Sequence, residues 1–532
     1  MKLTILETSD VHGYLTAQSD KDIDAVEAYG YTRTATMIKR LRQELDHPVL
    51  YIDNGDSILG SPLAAYQHGY KHTPESITKV YNAMDVDYWI PGNHEFNFGQ
   101  EYLFQAKKLL NCPLLCANIV DDEGTPALGQ PYVIRDYQGV KVAILGLTTM
   151  YIPHWEEPEH IEGLHFESAV ETAKRWVPYL KEQRQCDIII VSYHGGFARY
   201  IETGERIEEE TGENEAYDLA TSGLPIDVLL TGHQHREIVG RVDGIPVIQP
   251  GSKGMVLGRV DLTIEAKGTH YAVTDSQAEL IDCRQLREDE EILNLVKADV
   301  SEVQKWLDQP LGETAMDLTV SDLHTAQMEG HPYFDLINEI QMSVSDADIS
   351  ATSAFSDDIK GFAGDISYRD VMDNYPFPNK PTMVQVTGKE LKEILEKNVE
   401  YFVLDEQGEI TINPAYIAPK YQAYNYDFYT GISYQVDIAK PVGERISHVT
   451  YHDEPIQPDQ ALKIVYNNYR AGGGGDFPVL DQEHVVEKWD IEMPEVIADY
   501  IAKHSPVKPN SYKGWTLVNS KKDSSDSGKD EN

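Results

Sequence analysis

Short apolar runs punctuate the first half of the chain, each followed by a loop rich in Gly, Asp, Asn or His. They are residues 3–6 (LTIL), 49–53 (VLYID), 87–92 (DYWIPG), 142–147 (VAILGL), 187–193 (DIIIVSY) and 227–232 (DVLLTG). Continuous rather than alternating apolar character predicts strands covered on both faces. Between several of them lie segments with helical spacing, such as 34–45 (TATMIKRLRQEL) and 167–183 (ESAVETAKRWVPYLKEQ). Strands alternating with helices predict an α/β domain, and open α/β sheets place their sites beyond the strand C-terminal ends. The polar clusters fall there. The strongly acidic stretch 201–218 reads as a solvated excursion.

The rhythm changes near residue 285. Segment 291–307 carries apolar residues at helical spacing (Ile292, Leu293, Val296, Val300, Val303, Trp306, Leu307) and ends before Gln309-Pro310. It predicts a linker helix within 289–310, between a domain over 1–288 and a second folded unit over 311–516. The second unit is expected to be α+β, with a helix at 388–402 and strands at 382–387, 432–438 and 462–468. Residues 517–532 are poor in apolar side chains and are expected to form a disordered tail. No internal repeat is visible.

Composition narrows the function classes. In 532 residues, 45 Lys+Arg face 88 Asp+Glu, a formal net charge of −43. That balance argues against a partner in nucleic acid or an anionic membrane surface, both of which call for clustered cations. No stretch approaches the ~20 apolar residues of a membrane span. The N-terminal apolar run is too short for a signal peptide, so the expectation is a cytoplasmic protein, or a secreted or cell-surface one if a leader has been removed. Four cysteines (Cys112, Cys116, Cys186, Cys283) without a second pair or nearby His suggest buried free thiols rather than zinc ligands or a disulfide framework.

The chemistry lies in five clusters: Asp10-Val-His12, Gly55-Asp56, Gly92-Asn93-His94-Glu95, His194-Gly195-Gly196 and Gly232-His233-Gln234-His235. Singly, Asp-x-His and Gly-Asp are turn signals and a lone His is a satisfied polar residue. Five in order along one α/β domain point to a metal centre. Imidazole and carboxylate without thiolate suit Zn, Mn, Fe or Co. Seven candidate ligands exceed one tetrahedral ion and match two divalent ions; a bridging Asp would hold them roughly 3.5–4 Å apart, the spacing of two-metal phosphoesterases. Such a pair lowers the pKa of a bound water and neutralises phosphoryl oxygens.

The motifs TSDVHG, DNGDS, GNHEFN, YHGG and TGHQH resemble the calcineurin-like metallophosphoesterase domain. YPFPN (375–379), VTGKELKEILE (386–396), YNYDFYTGISYQVDI (424–438) and NNYRAGGGG (467–475) extend the resemblance to the bacterial 5′-nucleotidase and 2′,3′-cyclic-nucleotide 2′-phosphodiesterase/3′-nucleotidase family. It implies a four-layer α/β/β/α sandwich followed by an α+β substrate-binding domain. It implies one metal on Asp10, His12 and His235, a second on Asn93, His194 and His233, and Asp56 bridging. His94 would face the phosphate and assist the leaving oxygen, oriented by Asn97 where the 5′-nucleotidases typically carry Asp. That departure favours the cyclic-phosphodiesterase branch. Phe377, Asn379 and Tyr469 match positions that hold the nucleoside, the two rings clamping the base. The phosphate-binding Arg of 5′-nucleotidases is missing from 353–361, where Lys360 is the nearest cation. The family also implies a domain rotation, with a hinge in the helix at 291–307. The expected activity is therefore hydrolysis of 2′,3′-cyclic nucleotides and 3′-nucleotides, with a small-molecule nucleotide as partner and the oligomeric state open. The alternatives are a 5′-nucleotidase or UDP-sugar hydrolase, an enzyme acting on another ester, and an inactive nucleotide-binding module.

Overall fold

The computed structural model describes all residues except 23, 209, 356–357, 419–420, 511–513 and 523–532. The chain divides into two compact units, Met1–Gln304 and Lys305–Asn532. The division falls inside the helix Glu290–Leu307.

In the first unit two sheets pack face to face. One has the order His270–Asp282, Val256–Lys267, Lys2–Thr8, Val49–Asp53, Tyr88–Trp89. The other has the order Glu237–Val242, Ile245–Pro250, Val228–Thr231, Ile188–His194, Val140–Thr148, Tyr132–Tyr137. Lys2–Thr8, Val49–Asp53 and Tyr88–Trp89 run parallel, as do Val140–Thr148, Ile188–His194, Val228–Thr231 and Ile245–Pro250. Their apolar side chains form the inner core: Leu3, Ile5, Leu50 and Ile52 from one sheet meet Val142, Ile144, Ile188, Ile190, Val228 and Leu230 from the other. Each such aliphatic side chain contributes about 1.5–3 kcal/mol by leaving water. The outer face of the second sheet is covered by Ala169–Pro178 and Ala216–Thr221, through Ala169, Ala173, Val177 and Leu219. Parallel strands need this double cover, and the architecture is the α/β/β/α sandwich that the family resemblance implies.

The apolar runs expected at 3–6, 49–53, 142–147, 187–193 and 227–232 each supply a strand, the last two as Ile188–His194 and Val228–Thr231, whereas 87–92 yields only Tyr88–Trp89. Beyond Trp89 the chain turns into the GNHE loop, where backbone N–H groups bond to a carboxylate instead of a neighbouring strand. The long hairpin Val256–Lys267/His270–Asp282 carries no continuous apolar run: its outer strand is largely half-buried or exposed, and it extends the sheet by antiparallel pairing.

In the second unit a five-stranded sheet has the order Asp427–Thr430, Ile349–Ser353, Ala461–Asn467, Pro381–Thr387, Val485–Lys488, and a four-stranded sheet lies in the same unit. The helices Pro332–Ser343, Gly388–Asn398 and Met493–His504 share one core with these strands; Phe334 stacks on Phe428 at 3.7 Å. Gly388–Asn398 starts at a reciprocal Thr387–Glu390 capping box, which sets its N-terminus. It ends four residues earlier than the expected 402, where Val399–Tyr401 tighten into a 3-10 turn. The expected tail is corrected at its start. Leu517 and Val518 belong to the strand Trp515–Val518, paired with Val436 and Asp437; positions 523–532 lie outside the described residues. Cys112 is half-buried, Cys116, Cys186 and Cys283 are buried, and all four are free thiols.

Candidate metal centre

The parallel strands deliver the five clusters to one edge of the first unit. Asp10 and His12 follow Lys2–Thr8, Asp56 follows Val49–Asp53, Asn93 and His94 follow Tyr88–Trp89, His194 ends Ile188–His194, and His233 and His235 follow Val228–Thr231. Asp10, His12, Asp56, His233 and His235 all adopt positive φ, between 53° and 73°. Left-handed backbone costs a non-glycine residue about 1–2 kcal/mol, and five instances at one edge mark a place where packing holds the chain against local preference. Gly92 makes room: a Cβ there would sit 2.2 Å from Asp56 Oδ1 and 2.7 Å from His194 Cε1.

Two groups of potential ligands converge, Asp10 with His12 and His235, and Asp56 with His194 and His233. Hydrogen bonds settle which nitrogens face inward. His12 Nδ1 donates to the Leu59 carbonyl at 2.8 Å and His194 Nδ1 to the Asn54 carbonyl at 2.5 Å, so each ring turns its Nε2 inward. His233 Nε2 donates to Glu213 Oε1 at 2.9 Å, leaving Nδ1 to face Asn93 Oδ1 at 2.8 Å. His12 Nε2 and His235 Nε2 stand 2.9 Å apart, and His194 Nε2 lies 3.3 Å from both Asn93 Oδ1 and Asp56 Oδ2. Asp56 Oδ1 accepts from the His94 backbone N–H at 2.8 Å, while its buried Oδ2 has no hydrogen-bond partner. That oxygen lies 4.0 Å from His12 Nε2 in the other group. Ligand atoms converging on a buried carboxylate oxygen that lacks a hydrogen bond fit divalent cations.

The electrostatics agree. Burial, reinforced by Asp56, pushes the Asp10 carboxyl up, and burial pushes His12 down to about 3, so His12 offers a neutral imidazole. Burial alone would also lower His194, but the Asp56 carboxylate raises it to about 10.

His94 lies beside this centre, its ring 5.2 Å from that of His12, with Nδ1 2.6 Å from Asn97 Oδ1. Phe377, Asn379 and Tyr469 lie in the second unit. Strand register Pro381↔Asn467 brings YPFPN and NNYRAGGGG to one end of the five-stranded sheet, joined by paired bonds between Lys380 and Asn468. Phe377 packs edge-on against Phe355 at 6.1 Å and Tyr469 against Tyr424 at 6.4 Å, both rings half-buried. The glycine run seats Tyr469, since a Cβ on Gly474 would lie 2.5 Å from its ring. Buried Arg470 ties the loop together, bonding to the Gly474 and Tyr424 carbonyls and to Asp427. Lys360 is exposed and paired with Asp358.

Several supporting residues escape sequence reading. Glu213, inside the acidic stretch, holds His233; Glu208 accepts from Asn214, which in turn accepts from the Gly196 N–H. This part of 201–218 is therefore anchored to the site rather than a solvated excursion. Glu95, fully buried, accepts the backbone N–H groups of Asp56, Ser57 and Gly92 at 2.6–2.8 Å and pins two ligand loops together. Its position inside GNHE was the only local signal. Asn54 joins the sheets, donating to the Tyr193 carbonyl and accepting from Ser192.

Comparison with known proteins agrees with this geometry. Residues 3–237 match the family model described as calcineurin-like phosphoesterase, and residues 310–482 match the 5′-nucleotidase C-terminal domain. The chain is 29% identical to a Haemophilus influenzae 2′,3′-cyclic-nucleotide 2′-phosphodiesterase/3′-nucleotidase, covering 97% of this chain and 87% of the relative. It is 28% identical to the Bacillus subtilis trifunctional nucleotide phosphoesterase protein YfkN, over 97% of this chain but only 39% of that relative's length. A crystal structure from Staphylococcus aureus, described as a 5′-nucleotidase in complex with alpha-ketoglutarate, superposes with a TM-score of 0.91 at 33% identity, covering 97% of this chain and all of that one. The chain belongs to the calcineurin-like phosphoesterases that carry a 5′-nucleotidase C-terminal domain.

Proposed function

We propose that this phosphoric-ester hydrolase acts on 2′,3′-cyclic nucleotides and 3′-nucleotides, releasing nucleoside and phosphate. The observation that carries the reading is the orphaned, buried Oδ2 of Asp56 between two sets of inward-facing ligand atoms. Asp10, His12 and His235 would hold one divalent ion, Asn93, His194 and His233 the other, with Asp56 shared. When bound, the two cations supply Lewis acidity, activating water and neutralising phosphoryl oxygens; Mn, Zn, Co and Fe all suit the donor set. The chain's own part is orientation. Leu59, Asn54 and Glu213 fix the ligand imidazoles, and His94 assists the leaving oxygen. Phe377 and Tyr469 offer base-stacking faces, worth about 1–3 kcal/mol per base, and Asn379 follows Phe377 two residues on.

Asn97 in place of Asp, and the relatives with cyclic-phosphodiesterase activity in their names, support the cyclic branch. The Staphylococcus aureus structure favours a second reading, a 5′-nucleotidase. The two are separated by comparing turnover of 2′,3′-cyclic AMP, 3′-AMP, 5′-AMP and UDP-glucose with each metal and with chelator. The cyclic and 3′ substrates should lead, and far faster cleavage of 5′-AMP refutes the first reading. Among the described residues, no helix is long and apolar enough to cross a membrane.

A further inference from the structure

The residue that orients His94 is itself held from behind. Asn97 Oδ1 lies 2.6 Å from His94 Nδ1, and Asn97 Nδ2 donates to Glu156 Oε2 at 2.8 Å. Glu156 is only 6% exposed, and its other oxygen accepts from the Glu157 N–H at 2.9 Å and from His160 Nδ1 at 2.8 Å. A carboxylate can only accept, so the amide nitrogen of Asn97 must face Glu156. The amide oxygen must then face His94. It too only accepts, so His94 Nδ1 carries the hydrogen.

We propose that Glu156 is a positioning residue for the reaction: it locks the Asn97 amide so that His94 keeps Nδ1–H and exchanges its proton with the leaving oxygen only at Nε2. The inference rests on the role given to His94 above. Without Glu156 the amide is free to turn over, presenting Nδ2 to Nδ1 and selecting the opposite tautomer. The relay also accounts for the residue at position 97. An Asp there would put two acceptors of like charge 2.8 Å apart where Asn97 now donates, and neither would be satisfied. Asn97 and Glu156 are thus a matched pair, 59 residues apart in sequence, in which the carboxylate sits one step farther from the imidazole.

The test is a double-mutant cycle of wild type, Glu156→Gln, Asn97→Asp and Asn97→Asp/Glu156→Gln, with Glu156→Ala added should Gln mimic the native bonds. Each is assayed on 2′,3′-cyclic AMP and on a pair of phosphodiesters with phenyl and p-nitrophenyl leaving groups, with bound metal measured alongside. Asn97→Asp should lose at least about tenfold in kcat on the cyclic and phenyl esters, and the double variant should return to within about threefold of wild type. Glu156→Ala should lose at least about fivefold on the same esters, while p-nitrophenyl turnover, which needs no proton at the leaving oxygen, and metal content stay near wild type. A purely structural role would lower all three substrates together, and that result overturns the proposal. So does an Asn97→Asp variant of wild-type activity, or a double variant no better than Asn97→Asp. Should the wild type cleave the aryl esters but no nucleotide, the proposed function fails while the phenyl/p-nitrophenyl comparison still decides the role of Glu156.

Discussion

Glu213→Gln isolates the contribution of a carboxylate that stands behind the His233 imidazole. Glu213 accepts from His233 Nε2 at 2.9 Å, and the same ring turns Nδ1 toward Asn93 Oδ1 at 2.8 Å. The carboxylate therefore fixes the tautomer and makes the inward nitrogen a stronger donor. Its backbone is separately secured, with the carbonyl accepting from the Thr149 and Tyr193 hydroxyls, so the substitution removes the charge without freeing the loop. Loss of such an outer partner weakens metal binding by about 10–100-fold, or about 1.4–2.8 kcal/mol. The pair is partly solvated, Glu213 being 32% exposed at its side chain, which favours the lower end of that range. The assay is metal retained against graded chelator, read for both ions. The midpoint should move by about one decade for one ion of the two, and kcat should recover at saturating metal. Unchanged affinity for both ions, or weakening confined to the ion proposed for Asp10, His12 and His235, refutes the reasoning.

Four further outcomes are expected. His94→Ala should lower kcat by about 10²–10⁴ while metal content stays normal; loss of metal would show that His94 is a ligand. Loading metal at pH 7 should release protons, because Asp56 holds the metal-free His194 ring protonated up to about 10 and a ligating ring must be neutral. Calorimetry in buffers of different ionisation enthalpy reads this, and the absence of release contradicts it. In the metal-free protein the same pairing adds stability that is complete below the ring's ordinary value of 6.5 and lost as pH rises through about 10. Finally, Asp427→Asn strips the partner from Arg470, both residues being about 1% exposed. An uncompensated buried charge costs about 3–5 kcal/mol, so the Tm of the second unit should fall sharply; a Tm within a degree or two of wild type would show that the carbonyls of Gly474 and Tyr424 suffice.

The sequence by itself determined where the candidate ligands stand. Parallel strands buried on both faces must be continuous apolar runs, and their C-terminal ends must turn, so Asp10, His12, Asp56, Asn93, His194, His233 and His235 stand at predictable places beside glycines. The strand register that joins YPFPN to NNYRAGGGG was visible only as two motifs until Pro381 paired with Asn467. Tertiary structure alone decided what holds these residues still. Glu213 sat in an acidic run whose charge suggested solvent, Glu156 lies 59 residues from Asn97, and Asp427 lies 43 residues from Arg470. Ligand positions follow from local periodicity, which short stretches of sequence encode. Their orienting partners follow from which loops the two sheets bring together, and a buried carboxylate shows its purpose only once the N–H groups that surround it are in place.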